Sequence, residues 1–262
     1  MSNKKESTGR TLLVALTVSL VASVFVAGAA VSLKPIQIEN RLLDKQRSIL
    51  AIAGIGGTGL SSREVKDLFA SQITARVVDL STGEYVDSID PVTFDPLKAA
   101  KDPSTSRALR GAEDVASIKR REQFTTVYMY ERDGQLEALI LPVRGYALWS
   151  TLHGFLAIKP DLNTVVGLGF YQHAETPGLG GEIDNPNWRG LWPGKQLFDA
   201  SGATAIQVIK GNVDASSPNA IHQIDGLAGA TLTSQGVDRL LQFWLGEQGF
   251  GPYFAKLRNQ GV

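Results

Sequence analysis

Residues 11–33 carry no charged side chain, and no other feature of the chain limits its folding as strongly. A helix rises about 1.5 Å per residue, so a run of this length is long enough to cross the roughly 30 Å hydrocarbon layer of a bilayer. In such a run only a helix pairs every backbone N–H and C=O without help from water. The stretch predicts one transmembrane helix in the lipid bilayer. A cleaved signal peptide competes, because Lys4, Lys5 and Arg10 make a basic leader and Ala27-Gly28-Ala29 imitates a cleavage site. The uncharged run is longer than the apolar core of an ordinary signal peptide, which favours retention. The same three cations against the single Glu6 place residues 1–10 in the cytoplasm by the positive-inside rule, with residues 34–262 on the far side. In a bacterial inner (cytoplasmic) membrane that side is the periplasm. The span offers only small hydroxyls, so an ion path would have to run through other polypeptides.

Composition matters here for what it removes. With 26 basic and 26 acidic side chains the net charge is zero, and there is no basic field to attract nucleic acid. There is no cysteine, which excludes disulfides, thiolate catalysis and Cys-held iron–sulfur clusters. His153, His173 and His222 are the only histidines, and none has a partner at the spacing of a metal site. An electron carrier on this chain is therefore expected to be organic, or held by ligands other than cysteine.

Residues 34–262 read as one α+β domain. A helix over residues 41–53 ends at Gly54, and Ser61 with Glu64 forms a capping box for a second helix over about 62–72. Between them Gly54-Ile55-Gly56-Gly57-Thr58-Gly59 satisfies G-x-G-x-x-G, with Asp79 about 20 residues on. A dinucleotide fingerprint needs a strand before the glycines, whereas a helical period precedes these, so the run reads as a helix–helix connection. A short strand over 75–79 leads to a long surface excursion through 81–111. Residues 125–130 and 136–143 flank Arg132-Asp133-Gly134 as a hairpin, and 164–171 forms another buried strand. Val237, Leu240, Leu241, Trp244 and Leu245 make a helical stripe that must pack on the mainly antiparallel sheet. Residues 253–258 add a last short helical turn.

Ahead of that stripe lies Asp225-Gly226-Leu227-Ala228-Gly229-Ala230-Thr231, followed by Leu232-Thr233-Ser234. Small residues leave backbone N–H groups unshielded, and a following helix adds orphan donors at the positive end of its dipole, so a phosphate beside Thr231 would be held. A plain turn, with Asp225 in an Asx-turn and Thr233 or Ser234 capping the helix, satisfies the same spacing.

This stretch resembles the flavinylation signature Asp-x-x-Ser/Thr-Gly-Ala-Thr/Ser, with Thr231 at the acceptor position and Ala228 where the signature has Ser or Thr. Arg144-Gly145-Tyr146-Ala147-Leu148-Trp149-Ser150-Thr151 and the later run from His173 through Glu175-Thr176-Pro177-Gly178-Leu179-Gly180-Gly181 to Ile183 resemble motifs of the covalent-FMN (C-type) subunits of sodium-translocating NADH:ubiquinone reductases. The likeness runs from the anchor to the final helix. It implies an N-terminal cytoplasmic segment (residues 1–10), a transmembrane helix (11–33) and a periplasmic FMN-binding domain (34–262). It implies FMN joined covalently to Thr231 by a phosphoester, with Asp225, Gly229, Ala230, Thr233, Trp149, Ser150, Thr176, Gly178 and Leu179 around the cofactor. Trp149 reads equally as ordinary core, and His173 and Glu175 read as solvated loop residues. The implied role is an electron relay that is not itself the site of NADH oxidation. It works with other membrane and peripheral subunits and is matured by an exported flavin transferase, since threonine is a weak nucleophile without an adjacent base or metal. The homologous flavoprotein of a ferredoxin-coupled electron-transport complex shares the signature, and a cofactor-free membrane-anchored scaffold is the reading from a different class.

The membrane reading predicts that alkaline carbonate washing leaves the chain in the membrane pellet at its uncleaved mass. Recovery in the wash, shortened by a segment ending at Ala29, would select the signal-peptide reading instead.

Overall fold

A computed structural model describes residues 7–56 and 59–260. Lys4, Lys5 and Glu6 of the orientation argument, and Gly57 and Thr58 of the glycine run, lie outside the described residues. The chain divides into two units, Met1–Asp44 and Lys45–Val262.

The long apolar run forms most of the first unit's helix. α1 (Thr8–Ile52) passes Lys34 and Pro35 without interruption, joining two stretches that the sequence marks separately. One proline removes one backbone bond from a long ladder, a cost that the remaining turns carry. Its apolar window buries no side chain and is long and apolar enough to cross a membrane. Hydroxyls within it satisfy themselves: Thr17 Oγ1 donates to Leu13 O at 2.8 Å and Ser32 Oγ to Gly28 O at 2.7 Å.

The second unit begins inside α1. Gly54 takes φ 74°, and Gly54 N and Ile55 N donate to Ala51 O and Leu50 O at 3.3 and 2.8 Å, the paired bonds of a Schellman cap. α2 (Ser62–Gln72) starts at the predicted capping box. The glycine run thus joins two helices and has no strand before it among the described residues. Then follow β1 (Ile73–Asp79), α3 (Pro96–Ala99), β2 (Ser106–Ala108), β3 (Arg120–Glu122), β4 (Phe124–Arg132), β5 (Gln135–Tyr146), β6 (Thr151–Ile158) and β7 (Val165–Gln172). After β7 come α4 (Pro186–Arg189), β8 (Gln207–Val208), β9 (Gln223–Ile224), α5 (Thr231–Leu245) and α6 (Gly251–Gln260).

Five antiparallel strands form the sheet in the order β1-β4-β5-β6-β7. The β4–β5 hairpin turns where expected, with Asp133 and Gly134 both at positive φ, the requirement of a type I′ turn. Along central β5 the side chains alternate. Leu139, Leu141 and Val143 join Val237, Leu240, Leu241 and Trp244 of α5 in one core. Ile140, opposite Tyr128, belongs to the other face, where Tyr128 and Phe155 meet edge to face at 5.8 Å and Lys45 Nζ stands 5.3 Å from the Tyr128 ring centre. Phe69 of α2 packs on Tyr128 there. The architecture is α+β, a mainly antiparallel sheet flanked by helices.

α5 lies unusually close to the end of β5. A Cβ on Gly236 would fall 2.7 Å from Ala147 Cα, so the helix tolerates glycine's propensity cost of about 1 kcal/mol to reach this distance. Trp244 Nε1 donates to Arg144 O at 2.7 Å, and the buried Arg144 side chain donates from Nη1 to Glu122 Oε1 at 2.6 Å and from Nη2 to Arg120 O at 3.0 Å. These bonds tie β3, β5 and α5 together.

His153 faces Arg144 across the β5–β6 register, and its Nδ1 has no hydrogen-bond partner among the described residues. Burial, helped by the charges of Arg144 and Lys101, lowers its pKa from 6.5 to about 4. A histidine whose folded pKa is depressed leaves the unfolded chain binding more protons, so stability is lost as pH falls. The unfolding midpoint of the chain is expected to drop as pH falls from 6.5 toward 4, with His153→Gln flattening that limb in a pH series of urea melts. An identical slope in the variant would contradict the assignment.

Candidate functional site

Three segments meet at one end of the sheet: the turn from β5 to β6, the chain leaving β7, and the start of α5. Register brings the first two side by side, since Tyr146 pairs with Thr151 and His153 with Gln172. The third arrives through the contact of Gly236 with Ala147.

Thr231 is the first residue of α5, and it is exposed. Ala230 occupies the N-cap position and has no side chain with which to cap. The caps expected of Thr233 or Ser234 are not made, because both residues lie inside the helix. Ser234 Oγ instead accepts from Leu227 N at 2.9 Å, and Thr233 Oγ1 donates to Glu175 Oε2 at 2.8 Å. The backbone N–H groups of Thr231, Leu232 and Thr233 have no partner among the described residues, which leaves three donors at the positive end of a 15-residue helix.

Leu227 N is taken by Ser234, so the expected Asx-turn at Asp225 cannot close. Asp225 Oδ1 accepts from Val213 N at 2.8 Å, and its carbonyl accepts from Trp188 Nε1 at 2.9 Å. Asp225 also lines a cavity of about 400 Å³ together with Leu191, Lys195, Val213 and Ile221, and Thr231 is not part of that lining.

The chain leaving β7 is ordered by its own bonds. His173 Nδ1 accepts from Glu175 N at 3.2 Å, which places the ring proton on Nε2, 2.7 Å from Asp184 Oδ2. Thr176 O accepts from Leu179 N and Gly181 N at 3.1 and 2.9 Å, and Gly178 takes φ 75° within that turn.

Glu175 overturns the solvated reading: it is 5% exposed. Oε1 accepts from Trp149 N at 3.0 Å, Ser150 N at 3.1 Å and Ser150 Oγ at 3.4 Å, while Oε2 accepts from Thr233 Oγ1. Ser150 Oγ in turn accepts from Ala174 N at 2.8 Å. A buried carboxylate is costly unless donors surround it, and here donors from two other segments do so. His173 is likewise partnered rather than free.

Trp149 is 65% exposed, which rules out its reading as core. Leu179 and Leu232 are 46% and 50% exposed, and a Cβ on Gly229 would lie 3.2 Å from Leu179 Cδ2. The structure therefore brings Leu179 beside Gly229 in the loop that leads to Thr231. It links Trp149 and Ser150 to Thr233 through Glu175. Thr176 and Gly178 form the exposed turn next to Leu179, and Ala230 is buried behind Thr231. The Thr233 hydroxyl is engaged by Glu175 and the Asp225 carboxylate by Val213 N. Sequence reasoning missed the hub role of Glu175, the internal use of Thr233, and Leu232, whose position directly after Thr231 was the available signal.

The residues present fit a flavin mononucleotide: uncapped N–H groups for a phosphate, an exposed hydroxyl among them, and exposed Trp149, Leu179 and Leu232 for a flat ring. Residues 147–246 match the family described as FMN-binding domain. The C-type subunit of the Na(+)-translocating NADH-quinone reductase from Pseudomonas aeruginosa is 69% identical over 259 residues, 99% of each chain. The protein of that name from Yersinia pestis is 50% identical, covering 97% of this chain and 94% of its own. Among solved structures, NqrC of Shewanella oneidensis superposes with a TM-score of 0.75 at 37% identity, over 82% of this chain and 96% of that one.

A Cβ on Gly180 would fall 2.5 Å from Thr233 Oγ1 and 2.8 Å from Glu175 Oε2. Gly180→Ala is expected to force these groups apart and lower stability by about 1–3 kcal/mol in urea unfolding, the usual scale of overpacking. Unchanged stability would show that the segments are free to move.

Proposed function

The chain belongs to the NqrC family, the C-type subunits of Na(+)-translocating NADH-quinone reductase, an oxidoreductase complex, and from that premise we propose that it relays electrons through FMN joined by a phosphoester to Thr231. The observation that carries this reading is the placement of the Thr231 hydroxyl. It is exposed on the first residue of α5, at the acceptor position of the flavinylation signature, beside three N–H groups that are unpaired among the described residues.

The roles of the residues follow from their chemistry. N–H groups of Thr231, Leu232 and Thr233, with the helix dipole behind them, bind the phosphate. Trp149, Leu179 and Leu232 offer apolar surface to the ring, and the 173–180 loop and Ser150 supply polar edges. Bound FMN supplies what no side chain of this chain does, reversible uptake and release of electrons. The chain has no site for NADH oxidation in this reading and acts as a station between other membrane and peripheral subunits.

No base or cation contacts the Thr231 hydroxyl among the described residues, which supports attachment by a separate flavin transferase rather than by the chain itself. In this reading α1 anchors the chain in the bacterial inner membrane, with residues 1–10 cytoplasmic and the FMN domain periplasmic. Outside the cytoplasm a covalent bond prevents loss of the cofactor by dilution. Ala228, exposed and without a hydroxyl, leaves the acceptor itself intact.

Flavin fluorescence in a denaturing gel tests the proposal. The mature wild-type band is expected to fluoresce and Thr231→Val to be dark, with intact mass confirming the loss. A dark wild-type band would remove the covalent reading.

A further inference from the structure

Among the described residues, Glu175 holds the one carboxylate that joins all three segments of the site, and its bonds are more than a fold would need to close a turn. Three donors from residues 149 and 150 converge on Oε1, and Thr233, two residues along the first turn of α5 from Thr231, donates to Oε2. Every one of these bonds uses the carboxylate as acceptor. Gly180 lies directly against the Glu175 and Thr233 side chains, where a Cβ would fall 2.8 Å from Glu175 Oε2 and 2.5 Å from Thr233 Oγ1.

We propose that Glu175 is the positioning residue of this site and that its buried negative charge holds down the reduction potential of a flavin on Thr231. The inference rests on the covalent FMN reading above. Reduction adds electrons to the flavin, and a fixed negative charge nearby in a poorly screened interior opposes that addition. The charge is held under the same helix start that carries the acceptor, and the N-terminal end of the α5 dipole favours keeping it there. The carboxylate also sets the distance between the Trp149 segment and Thr231, so position and charge come from one group.

Glu175→Gln separates the two roles. Its amide oxygen can keep the bonds from Trp149 N and Ser150, and its NH2 can donate to Thr233 Oγ1, which also accepts, so the geometry survives without the charge. In the full chain matured with a flavin transferase, spectroelectrochemical titration is expected to give a midpoint potential shifted upward in Glu175→Gln. Thr233→Val, which removes one bond and keeps the charge, should shift it less. A fluorescent Glu175→Gln chain with the wild-type potential would overturn the proposal, as would equal shifts in both variants. If Glu175→Gln takes up no flavin, Glu175→Asp decides: loading at a potential near that of the wild type supports a need for charge, and failure to load assigns the residue to folding alone and overturns it. A wild-type chain without covalent flavin is a different outcome, because it defeats the attachment at Thr231 rather than the action of Glu175. Amide exchange in the chain before maturation supplies a readout independent of flavin: Trp149 and Ser150 should be protected, and Glu175→Ala should expose both. Fast exchange in the wild type would overturn the positioning role.

Discussion

A carboxylate removed from water needs donors on every side, and this requirement organises the site. Glu175 draws backbone N–H groups from the β5–β6 turn and a hydroxyl from the first turn of α5, segments far apart in the chain. Each of these bonds is stronger than a neutral one, since a hydrogen bond to a charged group contributes about 1.5–3 kcal/mol. Their value lies in asymmetry: losing any donor leaves buried charge poorly compensated. The segments are therefore held in one arrangement.

That arrangement is set on a rigid base. The antiparallel sheet places the end of β5, the start of β6 and the end of β7 side by side through backbone register. α5 is pressed on the same end by its apolar stripe and by the absence of a side chain at Gly236. The Arg144 and Glu122 pair, with Trp244 donating to the Arg144 carbonyl, prevents the helix from sliding along β5. Variable chemistry sits on loops while packing sits in the sheet, a common division of labour in binding domains.

Much of the fold was legible in the sequence because its signals are local. The uncharged run of 11–33 demanded a helix, Ser61 and Glu64 announced the start of α2, Gly54 announced the end of α1, and Asp133-Gly134 announced a hairpin. The stripe from Val237 to Leu245 matched the buried face of α5. Thr231 was singled out by the family signature, and the helix start beside it agrees with the phosphate argument. The misread features share one cause, because the partner lay elsewhere in the chain. Asp225 bonds to Val213, Ser234 to Leu227 and Thr233 to Glu175, none of them the partner that the expected turn or cap would use.

Strand β6 and the start of α5 at Thr231, ahead of the expected caps Thr233 and Ser234, came from the structure, whereas the sequence by itself determined the apolar span, the β4–β5 hairpin and the buried stripe of α5. Those properties follow from periodicity, capping and backbone preference, all read within a few residues. Only the tertiary structure decided that Glu175 is buried, that N–H groups without a partner among the described residues surround an exposed threonine, and that Asp225 bonds to Val213. Burial and hydrogen-bond satisfaction are settled by what the sheet brings together across 58 residues of chain, and no local pattern encodes that meeting.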